Sequence, residues 1–299
     1  MTTEPPVITA YANERPILPP SFAAVSIWTL SQYLLDRITM FPVVGLAYPT
    51  GYSGPTIRFN INHYILPIFK VCGEVSFLAA NKIEITPILS IPFEENAYVA
   101  HLPDSTDCLI VDPGFEPEKI IDYLERRGLI PAAILITHAH SDHIAGNEAI
   151  KKRWHDCQLA IGAAEAPKLI DPRLNLSAMF GLKLVSPQAD VTLEDGEFYT
   201  AAGIGLQIRA IPGHSSGHVV YLLTDCNPKM VFVGDVIFAG SIGRTDFPDG
   251  DFNQLADGIR KILYALPDSA ILLPGHGPTT TVGREKRGNP FVRQASQGA

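Results

Sequence analysis

The segment Thr137-His138-Ala139-His140-Ser141-Asp142-His143 places three imidazoles and a carboxylate within seven residues. Imidazole nitrogen and carboxylate oxygen suit zinc, iron or manganese, and no cysteine stands among them to suggest a closed structural zinc site. Three further candidate ligands, His214, Asp235 and His276, each follow a short apolar run. Residues 206–211 lead into Pro212-Gly213-His214, residues 230–233 into Gly234-Asp235, and residues 270–273 into Pro274-Gly275-His276; residues 132–136 lead into the first cluster. Such runs, closed by Gly or Pro, read as strands ending in sharp turns. Four strands then deliver ligands to one rim, with loops carrying the chemistry and a sheet fixing their positions. A lone His or Asp on a loop is more often a cap, but seven at strand ends point to an open catalytic metal centre.

The elements that must hold these residues alternate between strand and helix. Residues 83–89 and 97–101 read as opening strands. Residues 118–127 read as an amphipathic helix with Ile120, Ile121 and Leu124 inward. A second helix is expected over 144–154, and a third over 253–266 with Leu255, Ile259, Ile262 and Leu263 on its core face. That order predicts an α/β protein of sheets covered by helices.

The signature His138-x-His140-x-Asp142-His143, followed by single His, Asp and His positions after successive strands, resembles the metallo-β-lactamase superfamily. The resemblance implies a four-layer αββα sandwich. Within that superfamily, residues 234–238, 240–247 (Gly-Ser-Ile-Gly-Arg-Thr-Asp-Phe) and 275–278 are similar to glyoxalase II-like hydrolases. The short bacterial single-domain form, which ends in a segment similar to residues 281–291, matches best. The similarity covers about residues 84 to 292. By this resemblance His138, His140 and His214 hold one metal, Asp142, His143 and His276 hold a second, and Asp235 bridges them. Asp142 and Asp235 are thereby the catalytic carboxylates, and the cofactors are two divalent ions, zinc first, with iron or manganese as alternatives.

Zinc lowers the pKa of bound water from ~15.7 to about 7, which makes hydroxide available at neutral pH. An activated carbonyl is the natural target of a hydroxide bridging two metals, and a thioester releases a thiolate that needs little help from an acid. The implied substrate is a small-molecule thioester, an S-acylglutathione such as S-lactoylglutathione. Longer glyoxalase II enzymes add a helical C-terminal domain that grips glutathione, whereas 23 residues follow His276 here. Arg244 is the candidate to meet the tripeptide's carboxylates, with Arg284 and Arg287 behind it. An internal ion pair from Arg244 to Asp246 or Asp249 is an equal alternative, and a solvated basic tail is the plainer reading of residues 284–287.

A second reading comes from the persulfide dioxygenases of the same superfamily, which resemble non-haem iron oxygenases in using two His and one Asp. That triad maps to His138, His214 and Asp235. A nucleic-acid enzyme is disfavoured by the net charge of −8 and pI of about 5.6, because phosphate binding needs a basic surface. Asp112, in Val111-Asp112-Pro113-Gly114 after an apolar run, resembles a strand-end acceptor that supports a metal-bound His, while an Asx turn is a compatible local role. His218 is expected to be structural or to support a ligand, and His101 and His155 to lie on the surface. His63 falls outside the matched region.

Four cysteines, at 72, 108, 157 and 226, form no C-x-x-C pair and no disulfide framework, which fits a reducing cytoplasm. No signal peptide or membrane span is expected, because early apolar stretches are broken by prolines and polar residues. Residues 1–82 read as an extension of unknown role and residues 83–299 as the metal hydrolase domain. Residues 21–36 could form one helix with Ser21 as N-cap. Three accounts of the extension stay open: poor order, docking on the domain or another subunit, or a start assigned too far upstream. The oligomeric state is not legible in the sequence.

Overall fold

A computed structural model describes residues 83–293 and the short antiparallel pair Lys70–Val71 and Glu74–Val75. The expectations for the extension, including the helix over 21–36, lie outside the described residues apart from that pair.

Two six-stranded sheets form the centre. The first runs in chain order: β1 (Glu84–Ser90), β2 (Glu95–His101), β3 (Asp107–Val111), β4 (Ile130–Ile136), β5 (Gln158–Gly162) and β6 (Val191–Leu193). β1, β2 and β3 pair antiparallel, and β3 to β6 pair parallel. The second sheet contains β7 (Phe198–Ala201), β8 (Ile204–Ala210), β9 (Val219–Leu223) and β10 (Met230–Gly234). A small hairpin, β11 (Ile237–Phe238) with β12 (Ser241–Ile242), follows outside both sheets. The second sheet closes with β13 (Ile271–Pro274), parallel to β10, and β14 (Thr280–Thr281) on its edge.

The strand sequences explain the layering. β3 and β4 are apolar on both faces, and successive side chains point to opposite sides of a strand. Leu109, Val111, Ala133 and Leu135 therefore join Leu206, Ile208, Tyr221 and Phe232 of the other sheet in an inter-sheet core. Their neighbours Cys108, Ile110, Ile134 and Ile136 face outward and are covered by Ile120, Leu124, Ile144 and Ile150. On the opposite flank Val231, Val233 and Leu272 pack beneath Leu255, Ile259, Leu263 and Val282. Helix, sheet, sheet, helix is the four-layer αββα sandwich.

The helices depart from expectation in informative ways. α1 (Pro117–Arg127) agrees: proline opens it, Gly128 ends it at φ 65°, and Ile120 and Leu124 are buried; proline near the start and a left-handed glycine at the end are standard helix punctuation. The helix expected over 144–154 is instead two pieces, α2 (Ser141–Ile144) and α3 (Asn147–Arg153). Gly146 separates them because its N–H donates to the Pro113 carbonyl at 2.6 Å, and a Cβ there would collide with that oxygen. The third becomes α4 (Phe252–Gly258) followed by a π-helical turn, Ile259–Leu263. α5 (Val282–Gly288) comes last, with Thr281 as its cap.

Candidate metal centre

Parallel pairing brings the site to one edge. Val111 of β3 stands beside Leu135 of β4, so Asp112 and the 137–143 loop leave adjacent strands at the same end. Gly234 of β10 stands beside Pro274 of β13, which brings Asp235 and His276 together in the same manner. His214 lies in the connection between β8 and β9, whose paired ends are Ala210 and Val219.

All seven predicted ligands converge. His138 Nε2 lies 3.0 Å from His140 Nδ1, and His214 Nε2 lies 3.2 Å and 3.0 Å from those two atoms. His143 Nε2 lies 3.8 Å from Asp142 Oδ2 and 3.5 Å from Asp235 Oδ1. His276 Nε2 lies 3.3 Å from Asp142 Oδ2 and 3.6 Å from Asp235 Oδ2, and that same Asp235 oxygen is 3.5 Å from His214 Nε2. Asp235 thus sits between the two groups.

The far nitrogens of four imidazoles explain what the near ones face. The Thr137 hydroxyl donates to Asp112 Oδ2 at 2.7 Å, so at 3.1 Å from His138 Nδ1 it can only accept, which leaves His138 Nε2 as a lone pair. His143 Nδ1 donates to Asp112 Oδ2 (3.1 Å), His214 Nδ1 to the Arg244 carbonyl (2.8 Å) and His276 Nδ1 to the Phe93 carbonyl (3.1 Å). Each therefore presents an Nε2 lone pair inward. Lone pairs and carboxylate oxygens meet with no donor between them, and His143 Nε2 and Asp235 Oδ1 are buried without any hydrogen-bond partner. Metal cations satisfy such a set, as do protons on His143 and His276 where no metal is bound. Ligands ~2.0–2.1 Å from zinc stand about 3.3 Å apart at a tetrahedral angle and about 2.9 Å at a right angle, which brackets the spacing in the first histidine group. The residues fit two ions.

Electrostatics separates the groups. Burial, reinforced by neighbouring imidazoles, holds His138 and His140 well below the ordinary histidine range, so both are neutral ligands. Burial also opposes a charge on His143, but Asp142, Asp235 and Asp112 outweigh it and draw a proton toward that ring. The carboxylates hold charge that a cation would take over from the proton.

The supporting residues are as built as the ligands. Asp112 is buried at φ 49° and accepts the Thr137 N–H at 2.8 Å besides the two bonds above, so one carboxylate orients His138 through Thr137 and His143 directly. Asp tolerates the left-handed region better than most residues. His218 is buried, accepts the Asp235 N–H at 3.1 Å and stacks on His138 at 4.6 Å, the supporting role expected of it. Asn96 Nδ2 donates to the Pro274 and Gly277 carbonyls and Tyr98 donates to Pro274, which clamps the His276 loop to β2. Gly275 is required by close approach: a Cβ there would meet Asp235 Oδ1 and lie 2.7 Å from His143 Cε1.

One network has no counterpart in the sequence reading. Glu165, fully buried, accepts the Ala139 N–H (2.8 Å) on one oxygen, and the Ser215 hydroxyl (2.6 Å), Gly217 N–H (2.8 Å) and Lys168 ammonium (2.7 Å) on the other. Lys168 continues to Asp249 at 2.6 Å. The group ties the His138–His140 loop to the His214 loop. Burial pushes the Asp249 carboxyl up, but the hydrogen bonds from Lys168 and the Ser216 N–H prevail and bring it down to about 2.

Of the other expectations, that for His101 is corrected. His101 is buried, not on the surface, with Nδ1 2.9 Å from the Leu102 carbonyl; His155 is exposed as expected. The register of β2, in which consecutive residues are all buried, carries His101 inward. Arg244 reaches the pocket but pairs with Asp246 through Nε and Nη2, both at 2.7 Å, while its guanidinium lies over Phe247 at 4.3 Å. Lys286 and Arg287 of the expected solvated tail pair with Asp268. Cys108, Cys157 and Cys226 are free thiols. No described helix is long and apolar enough to cross a membrane.

Residues 91–276 match the metallo-beta-lactamase superfamily. The chain is 40% identical over 203 residues to a probable metallo-hydrolase, YqgX, of Bacillus subtilis, with 67% of this chain and 93% of that protein covered. It is 37% identical over 221 residues to the hydroxyacylglutathione hydrolase GloC of Haemophilus influenzae, covering 72% and 99%. Among solved structures, BLEG-1 B3 metallo-beta-lactamase superposes with a TM-score of 0.67 at 36% identity, covering 71% of this chain and all of that one. TTHA1623 in a di-iron-bound form gives 0.61 at 36% identity, covering 69% and 100%.

Proposed function

The chain belongs to the metallo-beta-lactamase superfamily, and from that premise we propose that it is a metal-dependent hydrolase of S-acylglutathione thioesters, S-lactoylglutathione among them. The observation that carries the reading is the convergence of five imidazoles and two carboxylates with every near nitrogen of fixed tautomer turned inward as a lone pair. His138, His140 and His214 would hold one cation, Asp142, His143 and His276 the other, and Asp235 would serve both. Bound ions would supply Lewis acidity and an acidified water at neutral pH. The likeness to GloC supports a glutathione thioester as substrate, and the likeness to a protein solved with two irons supports a two-ion centre without fixing the metal.

The remaining work falls to the chain's own residues. Asp112 and Glu165 keep the ligand loops in register, so little reorganisation accompanies reaction. Phe247, edge-on to His140 at 5.1 Å, and Phe238, edge-on to His276 at 6.0 Å, flank the two halves and limit water. A thiolate, whose conjugate thiol has a pKa of ~8.5, leaves with little help from an acid, which suits a pocket whose polar lining is mostly the ligand set. Arg244 stands at the rim; an exposed ion pair such as Arg244–Asp246 is weak, so a substrate carboxylate can compete for the guanidinium.

The test is hydrolysis of S-lactoylglutathione by protein shown by elemental analysis to hold two metals per chain. Turnover with release of free thiol is the expected result, and a fully loaded protein that leaves the thioester intact overturns the reading. The dioxygenase alternative, resting on His138, His214 and Asp235, predicts instead one iron per chain and oxygen uptake on glutathione persulfide. The overall likeness to the hydrolase GloC, at 37% identity, supports hydrolysis over that alternative.

A further inference from the structure

The pocket above the metal centre has a volume of about 360 Å³, at the small end of the ~300–1,000 Å³ usual for small-molecule sites. Its floor is the ligand set. Its walls are mostly apolar, a first set being Phe93, Leu176 and Phe180 and a second Phe238, Ile242 and Phe247, with the polar Ser141 beside them. Phe93 anchors the first wall, stacked on Phe115 at 5.2 Å and edge-on to Phe180 at 5.4 Å. Phe180 is 57% exposed, at the end of a 3-10 turn whose neighbour Met179 is 64% exposed. Large apolar side chains left this open beside a reactive centre mark a surface that a ligand covers.

Charge recognition at the same pocket is sparse. Arg244 is the one cation among the lining residues, and its Nε and Nη2 are already engaged by Asp246. A glutathione tripeptide has two carboxylates, and Arg244 at the rim is the one lining residue that could meet them, which places the tripeptide toward that edge. What enters beside the metals is the thioester and its acyl group.

We propose, resting on the thioesterase reading above, that the centre selects S-acyl substrates by the apolar character of the acyl group, favouring short aliphatic and aromatic acyl chains over hydroxyacyl ones. The Phe93–Leu176–Phe180 and Phe238–Ile242–Phe247 walls are the specificity-determining surface. These six side chains offer a hydroxyl on the acyl chain no polar partner, Ser141 being the one hydroxyl-bearing residue in the lining, and they gain contact with every methylene added until the pocket is full. A buried methylene is worth about a fourfold change, so going from S-acetyl to S-butanoylglutathione is expected to raise kcat/KM by about 15-fold.

The experiment measures kcat/KM of the metal-loaded enzyme on the S-acetyl, S-propanoyl, S-butanoyl, S-phenylacetyl and S-lactoyl thioesters of glutathione. Calorimetric Kd values for S-methyl, S-propyl and S-butyl glutathione, which cannot be hydrolysed, separate binding from acyl reactivity. The expected result is a rise along the aliphatic series in both measurements, S-lactoyl below S-propanoyl, and a flattened slope in Phe180→Ala and Ile242→Ala. Two variants in separate segments of the chain guard against a local folding defect in either, and circular dichroism checks each. Hydrolysis with no dependence on acyl length, or with S-lactoyl preferred over S-propanoyl, overturns the inference and leaves the thioesterase reading standing. Failure to cleave any thioester with both metals bound overturns that reading and the inference with it.

Discussion

Replacing Asp112 by Asn is the most searching perturbation of the centre, because it changes one atom of a buried carboxylate that serves both metal groups. Asn tolerates the left-handed backbone observed at φ 49° as well as Asp does, so the turn itself is undisturbed. The amide oxygen can keep the Thr137 N–H, but the NH2 then falls where Oδ2 accepted two donors, the Thr137 hydroxyl and His143 Nδ1–H. The hydroxyl can rotate away. The imidazole cannot, and it relieves the donor–donor conflict only by moving its proton to Nε2, the atom facing Asp142 and Asp235. A protonated Nε2 is no longer a ligand. Loss of such a supporting acceptor costs about 10 to 100-fold in metal affinity, which is about 1.4 to 2.8 kcal/mol. The assay is competitive titration of wild type and Asp112→Asn with a chromogenic chelator, read beside kcat/KM. One metal per chain is expected to be released at a tenfold lower chelator concentration or less. Retention of both metals with wild-type affinity would refute the tautomer argument.

Gly275→Ala should push Asp235 and His143 apart and lower activity by at least tenfold, checked by steady-state kinetics with metal content measured on the same sample; normal values for both would show that the loop yields freely. Glu165→Gln sets an amide N–H2 against buried donors, at about 1–3 kcal/mol, and a thermal midpoint lower by a few degrees is expected; an unchanged midpoint would remove Glu165 from the set of residues holding the ligand loops. Asp249 is held at about 2 against ~3.9 when unfolded. Its contribution is therefore complete above ~3.9 and is lost as pH falls toward about 2. The gap in thermal midpoint between wild type and Asp249→Asn should shrink across that window, and a gap constant from pH 5 to pH 2 would contradict the assignment.

Much of the centre was legible because each ligand follows an apolar run closed by Gly or Pro, a local pattern that names both the strand and the turn. The sandwich was legible in the family resemblance that the ligand signature carries and in the alternation of strand and helix; the structure adds that β3 and β4 are covered on both faces. Two helices were misjudged where a tertiary contact overrode local periodicity, most plainly at Gly146, whose N–H is diverted to Pro113. His101 was misplaced because a histidine at a strand end has no signal for which side the register will bury.

Residue types and spacing alone thus determined which seven side chains could bind metal and roughly what fold presents them. Tertiary structure decided what those side chains face and how each is held. Three of the four partners of Glu165 lie 26, 50 and 52 residues away along the chain, and the fourth, Lys168, is 81 from Asp249. No periodicity links positions so far apart; only the packing of the two sheets brings their loops to one edge, and with them the aromatic walls that stand over the ligand cluster.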